Sequence, residues 1–345
     1  MIVGKTMAVP QSITVPGGAQ VAAMGVTAVV VAPTHRRRGI LRKLYERQHT
    51  GFVEAGIPLA ILTASEGGIY RRFGYGPATE TCDVHLDRRI ATMRTSVPAP
   101  GDVRMPPIDE AATLIPTRYA CWQPLVPGAQ ARPPAVWEMM FAERNLPGDD
   151  RPYLYSFVHP DGYALYTRRA DGDLDAVRVL ELRAVTDDAY AALWRTVLSL
   201  DLVARVEAAI TPDDPLPYLL DDSRQVHTDD RADALWVRIM DVPGALRART
   251  YAIDLDVVLD VHDPFLDAGG RFALTVRDGS ATCVETEAAA DISLPLDALG
   301  SIYLGAHRAI ALARARRIVA ADPESLRLLD IAFTADRPAQ MGWGF

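Results

Sequence analysis

Cysteine is scarce in this 345-residue chain: Cys82, Cys121 and Cys283 stand far apart and form no CxxC pair. They supply neither a disulfide framework nor a thiolate metal site, so free thiols in a reducing compartment are expected. No stretch reaches the roughly 18 uninterrupted apolar residues of a membrane span. The N-terminus shows no ordered basic, apolar and small-residue regions of a secretory signal, and a cytoplasmic location is expected. Positive charge is in deficit, with 36 Lys and Arg against 44 Asp and Glu and a net charge of −8. That argues against non-specific nucleic-acid binding, which needs a basic face. The seven histidines show no HExxH spacing. His159, Asp161 and the run "DDSRQVHTDD" read as Asp-rich turns, and no metal is expected. No GxSxG nucleophile motif appears.

What is present is the balance of a globular protein, 49% hydrophobic and 23% charged, with the length of two or three domains. The first block alternates strand and helix. "QVAAMGVTAVVVAP" (Gln20 to Pro33) is a long apolar run, as a strand covered on both faces should be. "RGILRKLYERQHTGFVEAG" then puts Ile40, Leu41, Leu44, Tyr45, Phe52 and Val53 on one helical face, with Gly56 to end it. "IPLAILTAS" (Ile57 to Ser65) is the next buried strand, giving a parallel crossover unit. "IVGKTMAV" and "QSITVPG" ahead of them read as a hairpin. A Pro-, Arg- and Gly-rich stretch from about Pro98 to Pro134 breaks the pattern and marks a boundary.

A second block repeats the first in outline. "YLYSFV", "YALYTRR" and "VRVLELRAV" read as strands joined by the turns "HPDG" and "DGD". Thr186 caps the helix "DDAYAALWRTVLSL", and "RVEAAI" is another strand. Val185 leads straight into that helix, with no Arg- and Gly-containing loop. A third block from about Leu235 holds the strands "DVVLDVHD", "RFALTVRDG" and "ATCVETEAAADISLPL". An Ala-rich helix "GAHRAIALARARRIV", a helix near Ser325 to Phe333 and an irregular tail, "PAQMGWGF", follow.

Two segments raise phosphate binding. "IVGKT" resembles the end of a P-loop, but strand and turn follow it where that mechanism needs a helix N-terminus. "PTHRRRGIL" has the right setting. It lies between a buried strand and a helix, its glycine permits close backbone approach, and its arginines offer charge-assisted bonds to phosphate oxygens.

Arg36-x-x-Gly39 after Val31-x-Pro33 resembles the acetyl-CoA motif of GNAT N-acetyltransferases, with Leu41 where a small residue is usual. The segments "VAPTHRRRG", "ASEGGIYRRFGYGPAT" (Ala64 to Thr79), "HPDGYALY", "ELRAVT", "LWVRIM", "GGRFAL" and "LGAHRA" together resemble the Eis acetyltransferases in order along nearly the whole chain. That resemblance implies an α/β (α+β) architecture of two tandem GNAT-like mixed sheets flanked by helices, followed by a sterol-carrier-like domain. The boundaries expected are residues 1–95, a degenerate second GNAT domain at 96–233, and 234–345.

The resemblance also implies the site. Arg36, Arg37, Arg38, Gly39, Leu41 and Arg42 would form the coenzyme-binding loop, with Arg36 and Arg37 nearest the pyrophosphate and Arg38 and Arg42 toward the outer phosphate or solvent. Val29 and Val31 would offer backbone amides to the pantetheine arm, and Ser65 would position the thioester. Tyr70 would be the general acid, since a tyrosine hydroxyl of reference pKa about 10 can protonate a departing thiolate. The C-terminal carboxylate of Phe345 would be the general base, placed by proximity more than by basicity. Gly344 stands where relatives can carry an acid. The activity implied is acetyl transfer from acetyl-CoA to amines of cationic small molecules, aminoglycosides or lysine- and polyamine-type amines, by direct attack, in a homo-hexamer. The alternatives are a non-catalytic coenzyme- or lipid-binding module, or a protein lysine acetyltransferase. Compared with a typical GNAT domain, roughly fifty residues are expected ahead of the first strand; either the true start lies upstream of Met1 or the acceptor wall is open, while the coenzyme cradle is intact in sequence.

Overall fold

The computed structural model of the protein describes residues 2–98, 101–142, 153–171 and 174–345. Its first strand, β1 (Gly4–Thr14), pairs antiparallel with β2 (Gln20–Val31), from Thr14↔Gln20 to Gly4↔Val31. The hairpin expected within residues 2–17 is therefore one continuous strand whose partner is β2. Pro10 is tolerated in it because β1 is an edge strand and needs no donor on its open side. Helix α1 (Ile40–Glu54) follows and ends where Gly56 takes a positive φ of 66°. It buries Tyr45, His49 and Phe52. Val53, expected on that face, is 49% exposed, and the polar His49 takes the inner position. Strand β3 (Leu59–Thr63) then runs parallel to β2, completing the expected crossover.

A single helical turn, α2 (Gly67–Tyr70), and the short β4 (Gly76–Pro77) come next. The chain then leaves this sheet. Strand β5 (Glu80–Asp87) joins a second sheet, pairing with β9 (Val203–Ile210). Helices α3 (Ile108–Trp122) and α4 (Pro134–Ala142) lie between. Strands β6 (Leu154–His159), β7 (Gly162–Asp171) and β8 (Leu174–Ala184) form the antiparallel part of that sheet. Gly172 and Asp173 of the "DGD" turn lie outside the described residues. Helix α5 (Asp187–Leu198) leads to β9, which runs parallel to β8, and after the turn α6 (Leu216–Leu219) the edge strand β10 (His227–Asp233) closes the order β10-β5-β9-β8-β7-β6.

Strand β11 (Leu235–Ile239) returns to the first sheet, antiparallel to β3 from Leu235↔Thr63 to Ile239↔Leu59, and gives the order β1-β2-β3-β11-β4. The two sheets thus exchange strands. The third sheet contains β12 (Leu255–His262), β13 (Gly270–Arg277), β14 (Ser280–Glu285), β15 (Ile292–Pro295) and β16 (Val319–Ala320), in the order β14-β13-β12-β15-β16. Helices α7 (Val242–Ala248), α8 (Leu296–Ile302), α9 (Ala309–Arg314) and α10 (Pro323–Ala332) accompany it. The long Ala-rich helix expected here is only the six residues of α9, while α8, absent from the sequence reading, is buried on every side.

Two units result. One contains Met1–Glu80, Val126–Ala131 and Asp233–Phe345, the other Thr81–Leu125 and Arg132–Ala232. In the first unit, one face of the first sheet (Ile61, Val237, Ile239) shares a core with the third sheet (Leu259, Phe272, Leu294). Its opposite face, with Val26, Ala60, Leu62 and Trp236, is covered by Tyr45 and Phe52 of α1. The second unit has its own core around Val177, Leu193, Trp194 and Val206.

Candidate active site

Strand β2 is bent just where a cleft is needed. Opposite Thr6 of β1 it carries two residues, Ala28 and Val29, because the register passes from Met7↔Thr27 to Lys5↔Val30. Ala28 takes φ +50°, the left-handed conformation that one class of such bulges uses. On the other side, pairing with β3 begins at Ala23↔Leu59 and ends at Gly25↔Ile61. From Val26 onward β2 is paired only with β1 among the described residues, and the two parallel strands part. Val29 and Val31, the expected pantetheine partners, both lie on this parted stretch.

The loop after β2 leads into the N-terminus of α1. Gly39 is its N-cap, with φ +74° and no side-chain cap, and no acid stands in the first turn. Arg37 also holds a positive φ, +59°. Arg36, Arg37 and Arg38 are exposed, and none of the three guanidinium groups has an ion-pair or hydrogen-bond partner among the described residues. Net positive charge and unbonded amides at a helix start suit an anion. Leu41 packs partly into the core beneath α1, so its backbone is what remains to offer. Arg42 is different: it pairs with Glu46 at 2.8 Å and stacks on the Phe265 ring at 5.6 Å.

The second sheet repeats the device and closes it. Strand β8 has a bulge between its pairs with Leu165 and Tyr166, and its parallel pairing with β9 stops at Val179↔Ala208. Only Val185 and Thr186 connect β8 to α5, and Thr186 Oγ1 accepts the Ala189 amide at 3.2 Å. Past the bulge, Glu181 is bound by Arg132 at 2.7 Å and by the Tyr163 hydroxyl at 2.6 Å. The helix start is self-capped and no arginine loop precedes it.

Tyr70 sits in α2 just past β3 and is 6% exposed. Its ring lies 6.4 to 6.5 Å from those of Tyr45, Tyr75 and Trp236, and its hydroxyl has no hydrogen-bond partner among the described residues. Ser65 is exposed on the connection between β3 and α2. Behind Tyr70, His49 is fully buried. Its Nδ1 lies 2.9 Å from the Tyr45 carbonyl and its Nε2 2.6 Å from the Tyr75 hydroxyl. A carbonyl can only accept, so Nδ1 carries the proton and Tyr75 donates to Nε2. Burial, with the Arg238 charge, holds the imidazole down at about 3, so it is neutral. Burial also pushes the Tyr75 hydroxyl far up.

Arg238 of β11 braces this wall. It donates to the Phe73 carbonyl at 2.7 Å and forms a bidentate pair with Asp263, at 2.6 and 3.2 Å, with both side chains fully buried. Burial alone would raise the Asp263 carboxyl. The Arg238 hydrogen bonds and charge, with the Phe265 and Ala268 amides, outweigh it and hold the group below the usual carboxylate range.

Phe345 lies on the other face of the same sheet. A Cβ placed on Gly25 would stand 2.8 Å from its ring, so the last residue of β2 paired with β3 is the floor beneath Phe345. The Trp343 ring is 5.9 Å away. Gln11 of β1 also faces Gly25, with both amide atoms buried and without a hydrogen-bond partner among the described residues. The expected site residues therefore fall into three places. The arginine loop and parted β2 form one end, Tyr70 lines the α1 face, and Phe345 lines the opposite face where β2 and β3 begin to separate. His49, Arg238, Gln11 and the partners of the tail were not foreseen. His49 left a trace in the sequence, as a polar residue at the inner spacing from Tyr45 and Phe52, and so did Arg238, as the charge within the apolar segment LWVRIM.

Residues 1–78 and 128–239 each match the acetyltransferase (GNAT) domain family, and residues 242–341 match the sterol carrier protein domain. N-acetyltransferase Eis of Mycobacterium tuberculosis is 46% identical over 353 residues, covering 100% of this chain and 86% of the relative. The chain belongs to the Eis family of N-acetyltransferases. The crystal structure of Eis1 from Mycobacterium abscessus superimposes with a TM-score of 0.91 at 34% identity, covering 100% of this chain and 88% of that one. An uncharacterised N-acetyltransferase of Streptomyces avermitilis shares 38% identity over 99% of this chain and 87% of its own length. The architecture expected from the sequence, two GNAT domains and a sterol-carrier-like domain, is the family's, and GNAT domains imply acetyl-CoA as the acyl donor. Among the described residues no helix is long and apolar enough to cross a membrane, and no group of three or more His, Cys, Asp and Glu is placed to hold a metal ion.

Proposed function

We propose that the enzyme transfers acetyl from acetyl-CoA directly to an amine of a cationic small molecule, of the aminoglycoside or lysine and polyamine type, within a ternary complex. The observation that carries this reading is the parting of β2 from β3 beyond Gly25. It opens the sheet between an uncapped, arginine-flanked helix start and the chain's own C-terminus.

In this reading Arg36 and Arg37, with the first amides of α1 from Gly39 through Leu41, hold the pyrophosphate. Arg38 faces the outer phosphate, and Arg42 reaches it only by leaving Glu46. The free backbone of Val29 and Val31 pairs with the pantetheine arm as an added strand would, and polarises the acetyl carbonyl. Ser65 positions the thioester. The Phe345 carboxylate accepts the amine proton as the N–C bond forms. The Tyr70 hydroxyl donates its proton to the sulfur as the C–S bond breaks, and solvent reprotonates it. Tyr70 is suited to this because its hydroxyl is not committed to another group. Assembly into a homo-oligomer belongs to the same reading.

The test is thiol release from acetyl-CoA across a panel of an aminoglycoside, a polyamine and a lysine peptide. Turnover with the small amines, reduced about 10²- to 10⁴-fold by Tyr70→Phe, is the expected result. Faster turnover of the peptide would move the substrate class to protein lysines. No thiol release with any amine, and a lipid retained through purification, would favour the binding module.

A further inference from the structure

A chain terminus is usually frayed, and no regular element holds this one after Ala332. Yet Gly342 is buried and Trp343 and Phe345 are partly buried. The cause is a six-residue segment, Val126–Ala131, that groups with the first unit although the residues on both sides of it belong to the second. It runs along the open edge of β1. The Thr14 amide donates to Ala129 and the Ala131 amide to Ser12, at 2.9 and 3.0 Å, and Gly128 donates to Thr14 at 2.8 Å. Its other side meets the tail. The Gln340 amide donates to the Pro127 carbonyl at 2.8 Å. Gln130 is fully buried, and its Oε1 accepts the amides of Gly342, at 2.8 Å, and Trp343, at 3.4 Å. The Trp343 indole donates to the Ala131 carbonyl at 3.2 Å. Gly128 is shaped for this contact. It has φ +89°, and a Cβ there would stand 3.1 Å from the Gln340 carbonyl and 2.9 Å from Thr79.

We infer that this strap is an anchor for the C-terminal tail and that Gln130 is its positioning residue, fixing where the Phe345 carboxylate stands. The catalytic half of the inference rests on the reading of Phe345 as proton acceptor; the anchoring half does not. Ordering a free tail costs conformational entropy at every residue, and a carboxylate displaced by an ångström loses roughly a hundredfold in rate. A side-chain oxygen holding two successive amides just before the terminus removes both losses in advance. Gln130 touches neither acetyl-CoA nor acceptor in this scheme. It acts through residues 342 and 343.

The experiment follows the tail and the chemistry separately. In the wild-type enzyme, amide hydrogen exchange should show Gly342 and Trp343 protected. In Gln130→Leu, carboxypeptidase A should release Phe345 at least about tenfold faster, kcat should fall about 10- to 100-fold, and KM for acetyl-CoA should stay within about twofold. Gln130→Glu keeps an acceptor oxygen at the same reach and should regain most of the kcat. Gly128→Ala, which intrudes on Gln340, should repeat the Gln130→Leu pattern. Exchange of the two wild-type amides at free-peptide rates, or an unchanged release of Phe345 in Gln130→Leu, overturns the anchor. Faster release with undiminished kcat sustains the anchor and removes Phe345 from the chemistry.

Discussion

Lowering the pH should weaken the first unit through His49. The imidazole is fully buried, held between the Tyr45 carbonyl and the Tyr75 hydroxyl, and faces the Arg238 charge with Asp263 beyond it. Its folded value is depressed to about 3 from an unfolded 6.5. For a base shifted this way, the unfolded chain binds more protons. The stabilisation is therefore complete above the unfolded value and is lost as pH falls through the window from 6.5 toward about 3. At about pH 5 the unfolded imidazole has gained its proton and the folded one has not, which costs about 2 kcal/mol relative to about pH 7.5. That figure holds for any folded value well below 5, so it depends on the burial and not on its fine detail. The assay is urea denaturation at both pH values, read as a midpoint change at constant slope. His49→Gln, which can keep both hydrogen bonds, should lose about 2 kcal/mol less than wild type between those conditions. Equal losses in the two proteins would refute the placement of a neutral His49 in the core.

Three further outcomes follow from the same geometry. Asp263→Ala strands the buried Arg238 guanidinium and two amides and should cost about 3–5 kcal/mol, whereas Arg238→Met with Asp263→Leu should cost less than that single change; thermal melting of the three proteins decides. Arg37→Ala should raise KM for acetyl-CoA more than it lowers kcat, and the opposite split in steady-state kinetics would mean the loop serves the chemical step instead. Gly25→Ala puts a methyl group 2.8 Å from the Phe345 ring and should lower kcat about tenfold or more with little change in KM for acetyl-CoA, measured by thiol release.

How much of this was legible in the sequence depended on the range of the interaction. The unit β2–loop–α1–β3 was readable because its signals are local: an apolar strand, a helical face, a glycine at each end of α1. Thr186 was readable as a cap because the capping bond spans three residues. Helix α3 hid inside a Pro- and Gly-rich stretch, since Pro116 masks the spacing of Ile115, Tyr119 and Trp122. Helix α8 hid because all seven of its residues are buried, which leaves no polar face to set a period. The strand exchange was invisible for a different reason. Nothing near Leu235 says that it pairs with Thr63, and nothing near Gln130 says that its oxygen meets residues more than 200 positions later. Arg36 to Gly39, Tyr70 and Phe345 were named through resemblance to a family. Arg238 and Phe73 each sit in a segment that resembles the family, yet nothing in either segment says that the two touch, and Gln130, which holds the tail, sits in none.

In the mechanism we propose, the Phe345 carboxylate takes the proton from the attacking amine. Appending one glycine after Phe345 keeps the whole chain and moves only that carboxylate. Steady-state thiol release from acetyl-CoA with a reactive amine should then show kcat reduced about a hundredfold and KM for acetyl-CoA unchanged. An extended enzyme with undiminished kcat would contradict the claim.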